Sequence, residues 1–247
     1  MNTVIPSDVR ERLSNASVSA ALPRLAVSDG TIEALKWLAL VLMTLDHINK
    51  YLFAEKLPGF FELGRLAMPL FGFVLAYNLA RPGALQRGTH LHAIERLALF
   101  GVVATPFFIG MGGLGWGWWP LNIMFMLLTA TGLIYLIEKG DAVSLVAAGA
   151  LFFFGGFLVE FWWFALAYCV AAWWYCKSPS KRALVLWIAA AASLYVVNRN
   201  YWALAALPVI FAAPYIDLKM PRIRYAFYIY YPAHLAVLLT LKAFILQ

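Results

Sequence analysis

Long apolar runs alternate with short polar or Gly/Pro breaks along this chain, each run close to the roughly 20 residues a helix needs to cross a hydrocarbon core about 30 Å thick. The first follows the candidate N-caps Ser28, Asp29 and Thr31 and continues through LKWLALVLMTLDHINKYLF to Phe53. After the break AEKLPG, a second run at 60–80 stops at Arg81-Pro82-Gly83, where Pro removes a donor and Gly permits a left-handed turn. The third, 92–109, is predicted to be interrupted at Pro106 and gives way to MGGLGWGWWP, whose Trp116, Trp118 and Trp119 suit a membrane–water interface. Further runs cover 121–137, 142–158, 161–176, 183–197, 202–216 and 225–246. The pattern predicts an all-α, polytopic integral membrane helical bundle of about nine transmembrane helices, with eight to ten as the range. Residues 1–30 contain no apolar h-region and read as a polar cytoplasmic tail, and residues 31–247 as one transmembrane helical domain.

Composition agrees. Of 247 residues, 64% are hydrophobic and 13% charged, and mean hydropathy is +0.77. Soluble domains are about 45–50% apolar and about 25% charged. A soluble enzyme or a nucleic-acid binder is excluded. The net charge of +7 reads as positive-inside bias. Alternate connections carry Arg81, Arg87 and Arg96, then Lys139, then Lys177, Lys181 and Arg182, then Lys219, Arg222 and Arg224, whereas the others carry only Lys56 and Arg199. That places the N-terminus in the cytoplasm and the C-terminus outside. Cys169 and Cys176, about 10 Å apart along one helix, lie beyond disulfide reach.

Ionisable residues inside spans are costly and are functional hypotheses by default. The first span holds Asp46, His47 and Lys50. Asp46 and Lys50 are spaced i,i+4, so an intrahelical ion pair accounts for them as well as catalysis does. His47 points elsewhere, on the face of Met43, Thr44 and Tyr51, and imidazole suits general-base work near neutral pH. Arg65 follows Gly64 in the second span. Asn122 opens the fourth span as a cap or a site residue, and the last span carries Tyr231, Pro232 and His234. His90 and His92 read as part of a basic cytoplasmic connection and make a poor metal site, so no metal is expected. No Walker loop, dinucleotide fingerprint, CxxC pair or HExxH is present.

The segments LKWLALVLMTLDHINKYLF, LGRLAMPLFGFVLAYNL, LNIMFMLLTATGLIYL and FYIYYPAHLAVLL resemble, in order, those of the TraX family, with 142–216 generic. The pairing of Asp46-His47 with Gly64-Arg65 is the most specific part of the likeness, and the polar N-terminal stretch is similar to the TrbP branch. The resemblance implies a multi-pass protein of the bacterial inner membrane that acetylates the N-terminus of a conjugative pilin subunit, with acetyl-CoA as co-substrate. Its partners would be the pilin of a conjugative type IV secretion system and membrane lipid, with no nucleic acid. Carried over by position, it points to Asp46, His47, Arg65 and His234 as catalytic, and to Asn122 and Tyr231 as substrate-binding. On this reading Asp46 either orients His234 or neutralises Arg65. The basic rim of Arg81, Arg87 and Arg96, or Arg222 and Arg224, would meet the phosphates of the donor. Head-to-tail joining of pilin termini, a pilin chaperone and a small-molecule transporter are the alternatives.

Overall fold

The computed structural model describes residue 22, residues 24–223 and residues 225–245. Helix forms in each of the nine apolar runs. The elements are α1 (Asp29–Leu52), α2 (Pro58–Gly64), α3 (Ala67–Ala80), α4 (Thr89–Met111), α5 (Ile123–Lys139), α6 (Ala142–Ala150), α7 (Trp162–Lys177), α8 (Lys181–Ser193), α9 (Ala206–Ala212) and α10 (Ala226–Ile245). A π-helical stretch, Leu151–Gly155, and the turn Gly156–Leu158 extend α6; 3-10 turns flank α9. Side-chain caps start α1, α5, α6 and α8, where Ser28, Asn122, Asp141 and Ser180 accept from backbone N–H groups of the first turn.

The second run is two helices, not one. Pro69 has no N–H to offer the Arg65 carbonyl, and Arg65 and Leu66 close tighter turns onto Glu62 and Leu63. This break is what turns the Arg65 side chain inward. The interruption predicted at Pro106 does not occur, since α4 continues through it to Met111. Such a proline costs one helical hydrogen bond, and packing on both sides of α4 holds the helix through it.

Four stretches are long and apolar enough to cross a membrane by length and composition: Pro58–Ala80, Thr89–Met111, Lys181–Asn198 and Ala226–Ile245. Helix α1 has 24 residues but carries Asp29, Glu33, Lys36, Asp46 and Lys50, and Ala142–Leu158 and Trp202–Tyr215 are shorter. Large apolar side chains face outward, among them Val102, Val143, Val146, Phe153, Phe154, Val237 and Phe244. Water would penalise such a surface, whereas lipid accepts it.

Neighbouring helices close a ring in the order α1, α3, α5, α4, α10 and back to α1. Helix α7 backs α3 and α5, and α8 lies behind α7. The α3–α7 approach is close because Gly72 leaves room for the Tyr168 ring and Cys169 Sγ, and the Tyr168 hydroxyl donates to the Pro69 carbonyl at 2.9 Å. Both cysteines are free. The packed body begins before Gly30: Val27 is buried and trades backbone hydrogen bonds with the Tyr77 hydroxyl, each 3.0 Å. His90, read from the sequence as part of a basic connection, lies in a helix. It is buried at the start of α4, with Nε2 3.2 Å from Glu138 of α5. Lys177 of α7 pairs with the same carboxylate, so one acid ties three helices together at that end.

Candidate active site

Two hydrogen-bonded pairs bring the polar residues of α1 to distant parts of the chain. The first joins His47 and His234. Nδ1 of His47 lies 2.8 Å from Nε2 of His234, with ring planes 12° apart. The other nitrogen of His234, Nδ1, is 3.1 Å from the Tyr230 carbonyl. A carbonyl only accepts, so the Nδ1 hydrogen of His234 points there and its Nε2 carries a lone pair. That lone pair accepts from His47 Nδ1–H. His47 is left with an unprotonated Nε2, the form a general base requires. Packing supports the pair: the Tyr230 ring stacks on His234 at 5.3 Å, and the Tyr230 hydroxyl meets Thr44 Oγ1 at 2.9 Å.

The second pair joins Asp46 and Arg65. Arg65 Nη2 lies 2.5 Å from each Asp46 carboxylate oxygen. Its Nε donates to the Phe61 carbonyl at 3.2 Å, and the guanidinium lies over the Phe61 ring at 4.4 Å. Asp46 therefore pairs with Arg65 across helices and not with Lys50 along its own. Of the two roles open to Asp46, the structure gives it neutralisation of Arg65, while His234 is oriented by a backbone carbonyl. Gly64 makes this possible, since a Cβ there would stand 2.4 Å from the Asp46 Cβ.

Asp46, His47, Arg65 and Tyr231 line one cavity of about 140 Å³, with His234 behind His47. Tyr51, which shares the His47 face of α1, also lines it, together with Glu55 and Glu160, neither of which the sequence reading singles out. For Glu160 a signal existed: it is a lone carboxylate in the aromatic, apolar stretch FLVEFWW. Asn122 is not brought to this cavity. Its Oδ1 caps the Met124 N–H and its Nδ2 donates to the Gly101 carbonyl and Thr105, so its polar atoms are committed to joining α4 and α5.

A larger cavity of about 690 Å³ occupies the middle of the helix ring. Lys36, Arg81, Arg87, Arg96 and Arg222 line it, so both predicted basic rims meet around one space; Arg224 lies outside the described residues. Arg81 pairs with Asp29 and Lys36 with Glu33, each at 2.5 Å. Among the described residues Arg87, Arg96 and Arg222 form no ion pair. The inner wall is apolar, with Leu40, Val74, Leu97 and Leu127. Met43, Phe71, Ile123 and Tyr231 line both cavities, so the basic chamber and the His47 chamber adjoin. The described residues contain no cluster of three His, Cys, Asp or Glu side chains suited to a metal ion.

Comparison with known proteins bears on the same region. One segment is 34% identical over 122 residues to Protein TraX of Escherichia coli, covering 49% of this chain and 46% of that protein. Another Protein TraX, from Escherichia coli strain K12, is 33% identical over 121 residues, with the same coverage. The match thus spans about half the length of each TraX protein. A protein of Dichelobacter nodosus named "Probable fimbrial assembly protein FimC, serogroup H1" is 26% identical over 240 residues, covering 85% of this chain and 95% of its own. No solved structure matches. The family model described as TraX protein matches residues 31–242, which include every residue of the His47 and Asp46 pairs, and the chain belongs to the TraX family.

Proposed function

We propose that this protein is a membrane-embedded acyltransferase that acetylates the N-terminus of a pilin subunit, with acetyl-CoA as donor. The family and the names TraX and fimbrial assembly protein support a role in pilus assembly at the bacterial inner membrane. The observation that carries the acyl-transfer reading is the His47–His234 pair at the wall of a chamber that adjoins a basic one. An amine attacking a thioester must lose a proton, and the free Nε2 of His47 is placed to take it. Arg87, Arg96 and Arg222 supply charge for donor phosphates, and Leu40, Val74 and Leu127 supply an apolar wall for the pantetheine arm. Arg65 Nη1 donates one hydrogen to Asn198 Oδ1 at 3.5 Å and keeps the other for the developing oxyanion, while Asp46 holds the guanidinium in place.

Intact mass of the cognate pilin, with and without this protein, tests the reading. A gain of one acetyl group supports it. Loss of one water would assign head-to-tail joining instead, and an unchanged mass would assign a chaperone or transporter role.

A further inference from the structure

A pilin N-terminus is an ammonium at neutral pH, since α-amino groups titrate near 7.7–8.0. Its nitrogen gives up two protons as the C–N bond forms and the donor's C–S bond breaks. His47 takes one and returns it to the leaving sulfur. The other needs a second acceptor within reach of the same nitrogen, and His47 has only one free lone pair.

Three carboxylates line the His47 chamber. Asp46 is gripped through both oxygens by Arg65, and Glu55 is solvent-exposed. Glu160 is neither. It sits on the turn between α6 and α7, where its N–H donates to the Leu121 carbonyl at 3.0 Å and the Leu121 N–H donates to Leu158 at 2.8 Å. Phe161 and Trp162 follow in left-handed backbone, φ +59° and +52°. Such conformations are strained for bulky residues and persist only where the surroundings impose them. The turn seats Glu160 at the wall of the chamber, facing Lys50 and Tyr51 of α1, Arg65 and Tyr231. Burial pushes its carboxyl up to about 7, against the pull of Lys50, the Ile123 N–H and Arg65.

We propose that Glu160 binds the ammonium of the acceptor and takes its first proton, leaving a neutral amine for His47 to deprotonate during attack. The inference rests on the acyl-transfer reading for its second step but not for its first. In the first step, carboxylate plus ammonium gives carboxylic acid plus amine. In the second, the proton held by His47 goes to the departing thiolate, and Glu160 later releases its own proton to water.

The test uses a peptide copying the mature N-terminus of the cognate pilin, in free and N-acetylated forms, with full-length protein in detergent. Without donor, the parent protein binds the free-amine peptide at least about tenfold more tightly, the worth of one charge-assisted hydrogen bond. Glu160→Gln erases that preference and Glu160→Asp keeps it. With acetyl-CoA, the parent rate levels off above pH of about 7, whereas Glu160→Gln keeps gaining rate up to the pKa of the amine near 8. A Gln variant with the parent's preference and pH profile overturns the proposal. So does an equal loss in the Gln and Asp variants with the pH profile unchanged. A parent protein that prefers the free amine through Glu160 yet transfers no acyl group refutes the acyl-transfer reading and leaves the ammonium site standing.

Discussion

The hydrogen bond between His47 and His234 gives the sharpest quantitative expectation. His234→Phe keeps an aromatic ring against Tyr230 but deletes the Nε2 that accepts from His47. Losing a buried hydrogen bond costs about 1–3 kcal/mol, which is about 5- to 150-fold in rate if it is needed in the transition state. His47→Gln removes the base itself and is expected to cost about 10²–10⁴-fold. In the double variant nothing remains for residue 234 to orient, so the rate should fall no further than in His47→Gln alone. The assay is time-resolved intact mass of the acceptor peptide with purified protein, after confirming that each variant melts like the parent. Losses that multiply in the double variant would falsify the tautomer argument, because independent residues give additive free energies.

Gly64→Ala places a methyl group 2.4 Å from the Asp46 Cβ; such overpacking is expected to cost about 1–3 kcal/mol and to abolish transfer with donor binding intact, as thermal melting and activity together would show. Replacing Arg81, Arg87 and Arg96 with Gln should reduce the melting shift given by acetyl-CoA and make it less salt-sensitive, and an unchanged shift would move the donor elsewhere. Glu160 binds its proton more tightly folded than unfolded, so between about 4.5 and about 7 its contribution to stability falls as pH rises. Glu160→Gln should therefore raise the melting temperature relative to the parent at pH 8.5 and not at pH 4, with an upper bound of about 3 kcal/mol at 1.36 kcal/mol per unit. Cysteine placed at Ser180 should label from the cytoplasm and at Gly113 from the opposite side; labelling of Gly113 from the cytoplasm would reverse the placement of the site relative to its two substrates.

Helix positions are legible because apolar runs and caps are local properties, and the candidate caps Ser28 and Asn122 both cap helices. Partner choice is not. Asp46 has Lys50 one turn away along the sequence and Arg65 across a helix pair, and only the close approach at Gly64 decides between them. Asn122 shows the opposite case, where a position carried over as a site residue has its side chain hydrogen-bonded within the scaffold. Glu160 escaped notice because the break in hydropathy around it looked like an ordinary loop between two spans. Its placement depends on the pairing of Leu121 with residues 158 and 160 and on two left-handed residues, which no periodicity encodes.

The collar of Met43, Phe71, Ile123 and Tyr231 between the two chambers has a consequence for the cell's energy supply. On the proposed function one chamber opens to the cytoplasm and the other to the outer side, which would make the helix ring nearly a pore. Every elementary charge that slips across a membrane held at 100 mV dissipates about 2.3 kcal/mol. Three apolar side chains and one tyrosine thus form an insulator as well as a junction. On the proposed function a thioester arm would thread between them where a hydrated ion would have to shed its water, and a wider gap would make the ring a leak.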